Sequence, residues 1–546
     1  MTHTRTFLLG SVALAILHLA VGGSAWGDGA DKSSGGSSPA GQRSHLSGRV
    51  RCVGRMAAEF PCRRIDLSSH LALSDLGGGT GNDIWGWTDP ASGKEYALVG
   101  RSSGTSFVDI SDPEAPIYVG NLPTESRDSV WRDIKVYENH AFIVSEARGH
   151  GMQIFDLTQL GDVADEEMPV TFGATARYRG FGRAHNIAIN EDSGYAYAML
   201  AREDREDCRG GLHAIDISDP VRPVFAGCFS AAAESHDAHC VNYSGPDRDH
   251  RAKEICFGSN ERRFAVVDVT DKDLPQLLST QSYDGRSYSH QGWLTEDHRY
   301  FLLDDELDEV NFGHNTRTYI WDVRDLDSPR LIGSHDAVTA AIDHNQYVKG
   351  QYTYQANYRA GVRVLKLDRV SEGILEEIAY FDLYEEDDLA QFNGAWSVYP
   401  YFSGRTVVAN SIEGGLFVLR VNLPRPPVLS TSVKALTTDT VVCHDQTLRE
   451  RIRLDLDGSQ SWSCRTEAFA LPTGNRLRQI ITGRATGANA TATVSGVTAR
   501  RRECFNLTTG VVAKEESTRR RVSCVDLGVP VKAGDQIRLT SWSTIR

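Results

Sequence analysis

The chain has 546 residues, of which 40% are hydrophobic and 24% are charged, and its formal net charge is -14. This length predicts roughly two to four domains or one large repetitive domain, and the ordinary composition excludes a wholly disordered or collagen-like chain. The negative balance excludes a nucleic-acid binder built on the whole chain, because neutralising phosphates requires clustered Lys and Arg.

The first residues have the pattern of a secretory signal. Arg5 supplies a positive start, residues 7–21 form an apolar run of 15 residues, and Gly23-Ser24-Ala25 offers small residues for cleavage. The run is short for a bilayer span, although a membrane anchor is the alternative interpretation. We therefore expect residues 1–27 to be a signal peptide, residues 28–48 to be a flexible Gly/Ser-rich lead-in, and the mature chain to be secreted or at the cell surface without a transmembrane span.

Ten cysteines agree with an oxidising compartment, and none lies in a CxxC motif. Their spacing predicts three local disulfides, Cys52 with Cys62, Cys208 with Cys228, and Cys240 with Cys256. Four more cysteines lie near the C-terminus and allow three connectivities that the sequence leaves open: Cys443, Cys464, Cys504 and Cys524.

Four passages share one pattern, in which an apolar strand ends in Asp-Ile or Asp-Val, a turn rich in Asp and Pro follows, and a second strand leads away. They are residues 104–120, 210–227, 262–279 and 317–333. Upstream of each hairpin is a short strand that opens with a polar residue. Seven such openings recur every 49 to 54 residues, at Asn82, Arg132, His185, His236, His290, His344 and Asn393. This period is typical of a four-stranded propeller blade.

The sequence thus predicts an all-β chain with a seven-bladed β-propeller over residues 49–427. The last blade lacks an outer strand before the proline run at residues 424–427, so we expect an N-terminal strand from residues 65–76 to close it. Residues 428–546 carry 18 Lys and Arg against 11 Asp and Glu, and their short strands predict a small, basic, disulfide-stapled domain that resembles a β-sandwich.

The seven openings are the first candidate site, because successive inner strands of a propeller converge on one channel mouth. The second strand of each blade returns to the same face, which adds candidates at the channel mouth: Glu146, Glu261, Glu306, Asn357 and Glu413. Imidazoles and carboxylates together suit zinc or calcium, so His185, His236, His290, His344, Asp305 and Glu306 are the candidate metal ligands. The alternative is structural, with each polar residue hydrogen bonded to the backbone of the next blade.

Other patterns are weaker. The acidic run at residues 304–309 suits either a calcium-binding loop or a solvated loop. We find no nucleophile elbow, zinc protease motif or phosphate loop, and we assign no catalytic residue. In the tail, two clusters predict a basic patch for an anionic cell-surface polymer, with ordinary soluble strand faces as the alternative: Arg500, Arg501, Arg502, Arg519, Arg520 and Arg521.

Residues 82–89 (NDIWGWTD), residues 94–100 (KEYALVG) and the VDISDP hairpins, together with Phe60-Pro61-Cys62, resemble the choice-of-anchor B family of secreted proteins with LVIVD repeats. The resemblance covers residues 50–425 and implies a bacterial surface or secreted β-propeller. It supplies no catalytic residues, and the sequence lacks the LPxTG motif and the hydrophobic tail of the family's attachment signals.

We therefore expect a binding or adhesion module for an unknown protein or glycan ligand, with no nucleic-acid partner. The alternative is a metal-dependent, lactonase-like hydrolase that uses the His and carboxylate rim to activate water. Arg132 in the ring argues against a cation there, because like charges repel.

Overall fold

The computed structural model describes residues 46–203, 208–423, 430–446, 450–456, 458–459, 461–464 and 475–545. The predicted signal peptide and residues 28–45 of the predicted lead-in lie outside these ranges.

Strands account for nearly all the regular structure. The first 31 are β1 (Met56–Ala57), β2 (Phe60–Arg63), β3 (Ile65–Leu71), β4 (Gly81–Thr88), β5 (Glu95–Arg101), β6 (Gly104–Asp109), β7 (Ile117–Pro123), β8 (Arg132–Tyr137), β9 (His140–Ser145), β10 (Met152–Asp156), β11 (Val170–Thr171), β12 (Ala176–Tyr178), β13 (Asn186–Asn190), β14 (Tyr195–Met199), β15 (Leu212–Asp216), β16 (Val224–Phe229), β17 (Asp237–Asn242), β18 (Glu254–Ser259), β19 (Phe264–Asp268), β20 (Gln276–Gln281), β21 (Ser289–Leu294), β22 (Tyr300–Asp305), β23 (Arg317–Asp322), β24 (Arg330–Asp336), β25 (Asn345–Lys349), β26 (Tyr352–Ala356), β27 (Val362–Lys366), β28 (Glu376–Phe381), β29 (Ala395–Tyr399), β30 (Thr406–Ser411) and β31 (Gly415–Val421).

Ten further strands follow in the C-terminal part. They are β32 (Ser430–Lys434), β33 (Leu436–Asp445), β34 (Glu450–Asp455), β35 (Ser461–Trp462), β36 (Arg476–Ala485), β37 (Thr491–Ser495), β38 (Val497–Asn506), β39 (Val512–Glu516), β40 (Arg521–Ser523) and β41 (Gln536–Ile545). Helical structure in the described residues is limited to α1 (Asp308–Phe312) and to single 3₁₀ segments at Leu73–Leu76, Leu157–Asp162, Asp165–Glu167 and Val370–Glu372. The predicted all-β class is confirmed.

The strands before residue 424 form seven sheets, which we number in chain order by their first strands. The orders are β4-β5-β6-β7-β11, β8-β9-β10-β12, β13-β14-β15-β16, β17-β18-β19-β20, β21-β22-β23-β24, β25-β26-β27-β28-β2-β1 and β29-β30-β31-β3. All pairings are antiparallel except β7 with β11. Each first strand packs against the first strand of the next sheet, and β29 packs against β4, so the seven first strands form a ring.

Residues with strand propensity are buried on both faces of these sheets, because each sheet packs between two neighbours. All seven residues of β5, EYALVGR, are buried. Phe107 of the first sheet stacks on Phe155 of the second sheet, with ring centroids 4.7 Å apart. Aromatic pairs at this spacing contribute about 0.5–1.5 kcal/mol beyond the area that they bury.

The N-terminal segment joins two sheets at once. β3 pairs with β31 in the seventh sheet, as predicted for this segment, and Leu67 lies opposite Leu419. β2 pairs with β28 in the sixth sheet, which the sequence did not predict. The Cys52–Cys62 disulfide ties the residues before β1 to β2.

The C-terminal strands form two antiparallel sheets, β35-β32-β37-β40 and β34-β33-β36-β41-β38-β39. Among the described residues, neither sheet contains a strand from the first part of the chain. Side chains of both sheets contribute to one hydrophobic core, which includes Val494 of β37 and Leu539 of β41.

All ten cysteines are paired. The three predicted local disulfides are present. The connectivity that the sequence left open is Cys443–Cys464 and Cys504–Cys524. None of the helices in the described ranges has the length and apolar character that a membrane crossing requires.

Candidate functional site

Four imidazoles follow one another along the ring of first strands. We call His185, His236, His290 and His344 the imidazole arc. Successive ring centroids are 4.4, 4.2 and 4.4 Å apart. The sequence placed these residues at equivalent positions of four repeats, and the structure brings them into contact.

Hydrogen bonds fix the tautomers of three members. The Nδ1 of His236 lies 2.8 Å from the carbonyl oxygen of His290, and that of His290 lies 2.9 Å from the carbonyl oxygen of His344. The Nδ1 of His344 lies 2.5 Å from the carbonyl oxygen of Trp396. A carbonyl can only accept, so each Nδ1 donates and each neutral ring keeps a lone pair on Nε2. These bonds to the next sheet are the structural role that the sequence offered as one alternative.

His185 differs from the other three because its Nδ1 donates to a carboxylate, the Glu146 Oε1 at 2.7 Å. Burial lowers the pKa of His185, but the hydrogen bond and the charge of Glu146 outweigh burial and raise it. Burial lowers the pKa of His290 well below its usual value, and lowers that of His344 to about 3. Burial likewise lowers the pKa of His236 well below its usual value, so three rings of the arc are neutral, whereas His185 favours the charged form.

Glu306 faces the neutral rings. Its Oε2 lies 3.7 Å from His290 Nε2, and its Oε1 lies 3.7 Å from His344 Nε2. The Tyr358 hydroxyl donates to Oε1 at 2.8 Å. Burial raises the pKa of Glu306 to about 7. The candidate ligand atoms of His290, Glu306 and His344 all lie within 4.8 Å of one another, and this group contains neither His185 nor His236.

The expected set of metal ligands is thus smaller than the sequence suggested. Asp305 accepts hydrogen bonds from the Tyr283 hydroxyl at 2.7 Å, from Ser287 N at 2.8 Å and from Tyr288 N at 2.5 Å. This carboxylate is therefore engaged in holding the loop before β21.

Two of the seven predicted ring positions differ from the arc. The Arg132 guanidinium donates to the Arg101 carbonyl, to Thr124 and to His150, so it is held by its own and the neighbouring sheet. Arg132 lines the same small cavity as His290 and His344, so its charge still opposes a cation there. The bulge between Ala395 and Ser397 shifts the register of β29, so Trp396 supplies the carbonyl that His344 meets. Asn393 instead accepts from Arg359 and donates to Glu413.

The predicted residues at the ends of the second strands include three carboxylates near Tyr288 and a buried amide. Burial is the main cause that raises the pKa of the Tyr288 phenol, and the charges of Glu261, Glu306 and Glu146 raise it further. Asn357 is buried and donates to Gln355 at 3.3 Å. Asn82, at the opening of β4, donates to the Val130 carbonyl at 3.2 Å.

A charged cluster lies next to the arc within the ring. Lys135 Nζ is 2.5 Å from Asp133 and 3.5 Å from Asp83. Burial alone would lower the pKa of Lys135, but these carboxylates raise it well above its usual value. Burial raises the pKa of nearby Asp237 to about 7.

The charged cluster around Lys135 lies between two cavities. A cavity of about 20 Å³ is lined by three members of the arc, His185, His290 and His344. A cavity of about 560 Å³ lies beyond it and opens among aromatic side chains. Lys135, Asp237 and Tyr347 line both cavities, and we call these three residues the partition.

The larger cavity was not predicted from the sequence. Six ring-bearing side chains line it, and we call them the aromatic chamber: Trp85, His239, Trp293, Tyr347, Tyr399 and Tyr401. Adjacent rings are in contact, with His239 stacked 3.7 Å from Trp293 and Trp293 5.0 Å from Tyr347. Tyr347 is 5.6 Å from Trp85, which is 5.1 Å from Tyr399.

The sequence contained a signal for this chamber. Equivalent positions of successive inner strands face the same channel, and the third residue beyond each of the first six openings is Trp85, Lys135, Ala188, His239, Trp293 or Tyr347. Four of these six have aromatic rings. The corresponding residue beyond the seventh opening is Trp396, which lines the smaller cavity instead. Following each first strand beyond its opening residue would have predicted the chamber.

Most of the acidic run at residues 304–309 is buried, which argues against the solvated loop that was one of the two alternatives. Asp304, Asp305, Asp308 and Glu309 are all buried. The run ends β22 and begins α1, and the fold turns its side chains inward.

The two arginine clusters of the tail are in contact, but their members differ in exposure to solvent. Arg502 is buried and donates to Glu515 at 2.6 Å. It also donates to the Arg521 carbonyl at 3.0 Å, which connects the two clusters. Arg501 lies over Trp542, and Arg521 pairs with Asp526 at 2.8 Å. Arg500, Arg519 and Arg520 are exposed.

Comparisons with known proteins agree with a repeat protein. The LVIVD repeat family model matches residues 91–124 and 181–230. No curated protein matches the chain. One similar solved structure is the β-propeller domain of Cps50 (Swd1) from Myceliophteria thermophila, with 12% identity and a TM-score of 0.38; the match covers 63% of this chain and 96% of that chain. Another is the computationally designed Ika8 protein, with 8% identity and a TM-score of 0.39; the match covers 70% of this chain and 98% of that chain.

Proposed function

We propose that the seven sheets are the blades of one LVIVD-repeat β-propeller spanning residues 49–427, and that residues 428–546 form a separate basic domain of the β-sandwich type. The ring of first strands and the LVIVD matches support the propeller, and the repeats together with the VDISDP hairpins support assignment to the choice-of-anchor B family. Five disulfides support a location outside the cytoplasm, reached through the signal peptide at residues 1–27.

The propeller acts as a binding module, and the aromatic chamber holds its ligand. The observation that carries this proposal is a cavity of about 560 Å³ walled by contacting aromatic rings. Small-molecule sites are typically concave, about 300–1,000 Å³ in volume, and lined by aromatic side chains with a few polar groups.

The polar groups of the chamber indicate the ligand class. Asn190, Glu191, Asp192 and Glu296 line the cavity together with the rings, and the last three are exposed. Carboxylate and amide oxygens accept hydrogen bonds from hydroxyl groups, while flat rings offer apolar faces. A neutral saccharide presents both hydroxyl edges and an apolar ring face, so we assign the chamber to a glycan.

Replacing Trp293 with Ala tests this assignment. It removes the central ring of the chamber wall, so we expect saccharide affinity to fall about tenfold or more, which corresponds to about 1.4 kcal/mol or more. Titration calorimetry with a panel of neutral mono- and disaccharides on the full chain measures the change.

Trp131→Ala is the matched control, because Trp131 is 44% exposed and lines the smaller cavity beyond the partition. This variant should bind as the parent protein does. The assignment is wrong if no saccharide of the panel binds, or if Trp293→Ala binds with unchanged affinity.

A metal-dependent hydrolase at the imidazole arc is the second candidate function. Two neutral imidazoles and one carboxylate are a known ligand set for catalytic zinc, which keeps its fourth position open for water. The separations of 3.7 Å between Glu306 and each Nε2 are too long for hydrogen bonds. They approach the spacing of about 3.3 Å between two ligands on one tetrahedral zinc ion.

This candidate requires both a metal and a reaction. Zinc-loaded protein should hydrolyse a simple lactone, and Glu306→Gln should lose both the activity and the metal at this site. Lactone hydrolysis that survives Glu306→Gln, or that is absent from zinc-loaded protein, would exclude the hydrolase.

A further inference from the structure

A second group of carboxylates is buried where the fifth and sixth sheets meet. Asp304 lies in β22, Asp308 and Glu309 begin α1, and Asp343 precedes β25. The exposed fractions are 1% for Asp304, 0% for Asp308, 2% for Glu309 and 0% for Asp343. Burial is the main cause that raises the pKa of Asp343, and the charges of the other three raise it further. We call these four residues, with His314, the acidic pocket.

Asp343 adds a buried carboxylate, and both of its oxygens lack a hydrogen-bond partner. Buried polar groups are almost always hydrogen bonded, and a buried carboxylate without partners is costly. Within the described ranges, no Lys or Arg forms an ion pair with any carboxylate of the pocket. Burial raises the pKa of Asp343 well above its usual value, so either protons or a bound cation must neutralise the pocket.

Asp308 and Glu309 each have one carboxylate oxygen that accepts a hydrogen bond and one that does not. One oxygen of each has a donor, since the Tyr319 hydroxyl donates to Asp308 Oδ2 at 2.9 Å and Arg317 N donates to Glu309 Oε1 at 3.1 Å. The other oxygen of each, Oδ1 of Asp308 and Oε2 of Glu309, is buried without a partner. Metal-binding carboxylates are commonly held in this way by an outer hydrogen bond.

His314 supplies a nitrogen ligand to the same place. Its Nδ1 donates to the Asn315 carbonyl at 2.8 Å, which leaves the Nε2 lone pair free in the neutral ring. That Nε2 is buried, has no hydrogen-bond partner and lies 3.5 Å from Asp308 Oδ2. The candidate ligand atoms of Asp308, Glu309 and His314 all lie within 4.8 Å of one another.

We propose that the acidic pocket binds one divalent metal cation, with Asp308, Glu309 and His314 as ligands and Asp343 as a nearby carboxylate. Carboxylate oxygens with one imidazole suit zinc or manganese better than calcium, which prefers oxygen ligands alone. Because Asp308 and Glu309 are buried, the ion has a structural role. This group shares no residue with His290, Glu306 and His344.

The test isolates this pocket from the imidazole arc. Full-length protein carrying Glu306→Gln, which removes the carboxylate at the arc, is stripped with a chelator, reloaded with Zn²⁺ or Mn²⁺ and dialysed. We expect one equivalent of metal by elemental analysis and a melting midpoint that rises with metal concentration, because an ion that binds only the folded state stabilises it. Adding Asp308→Asn, which preserves the side-chain shape, should abolish both.

The remaining outcomes would overturn the proposal. Equal metal content with and without Asp308→Asn would show that the ion is not bound at this site. A melting midpoint that is the same for stripped and loaded protein would show that protons, not an ion, neutralise the pocket. Binding of Ca²⁺ alone would contradict the imidazole ligand. If Asp308→Asn does not fold, His314→Gln serves instead, since its side chain is 19% exposed, and retention of the full equivalent by that variant would reject the site.

Discussion

At the scale of single residues, neighbouring groups rather than residue type decide what a histidine does in this molecule. His185 is drawn toward the charged form by Glu146, whereas His344 is neutral because it is buried and donates to a carbonyl. His150 is fully buried beside a cation, with Nε2 at 3.2 Å from the Arg132 guanidinium and Nδ1 at 2.9 Å from the Gly151 carbonyl. Burial, and then the charge of Arg132, lowers the pKa of His150 to about 4.

His150 therefore makes stability depend on pH. Between about pH 6.5 and 4, His150 is protonated in the unfolded chain but neutral in the folded chain. The free energy of unfolding therefore falls as pH falls, by about 1.4 kcal/mol per pH unit. Arg132 and Arg177 are the charged groups that oppose protonation.

Replacing His150 with Gln keeps an acceptor for Arg132 and removes the titration. We expect this contribution to the slope to disappear between pH 4 and 6.5 and stability above pH 7 to change little. Urea unfolding at a series of pH values measures the slope, and an unchanged slope would contradict the assignment.

At the scale of elements, β3 is the strand on which the seventh sheet depends. Leu67 is fully buried in the largest core cluster and lies opposite Leu419 of β31. Leu67→Ala should lower the free energy of unfolding by about 2–5 kcal/mol, because it leaves a cavity in a packed core.

Val224→Ala on the outer strand β16 is the matched control, since Val224 is 62% exposed. That change should stay within about 0.5 kcal/mol of the parent protein. Equal midpoints for the two variants in urea unfolding would show that β3 adds little to the sheet.

The repeats predicted the elements well because strand patterns are local. Alternating apolar residues and Asp-Pro turns indicated the hairpins, and the incomplete last repeat indicated the added strand β3. The bulge at Ala395 was not predictable, because a repeat length of 49 residues does not reveal where the register shifts. Asp343 gave no signal either, because an isolated Asp in a polar segment becomes unusual only when the fold buries it.

At the scale of the whole molecule, charge is divided between the two parts of the chain. The C-terminal part has more Lys and Arg than Asp and Glu, while the rest is strongly acidic. Exposed Arg500, Arg519 and Arg520 are therefore the residues with which the tail would bind an anionic polymer.

Changing these three arginines to Ser in the full chain should lower the salt concentration that elutes the protein from an anionic polysaccharide column, because fewer charges contact the polymer. Arg222→Ser, a side chain 82% exposed in the acidic part, is the control and should not shift elution. Unchanged elution of the triple variant would reject the patch.

The pairing of β3 with β31 also has a consequence for biosynthesis. Leu67 leaves the ribosome long before Leu419, and at ordinary elongation rates of about 5–20 residues per second the delay is about 20–70 s. Throughout that time β3 lacks its partner strand β31. A strand that is synthesised early thus completes its sheet among the last. An export system that keeps the polypeptide unfolded until release would let β3 and β31 pair without this delay.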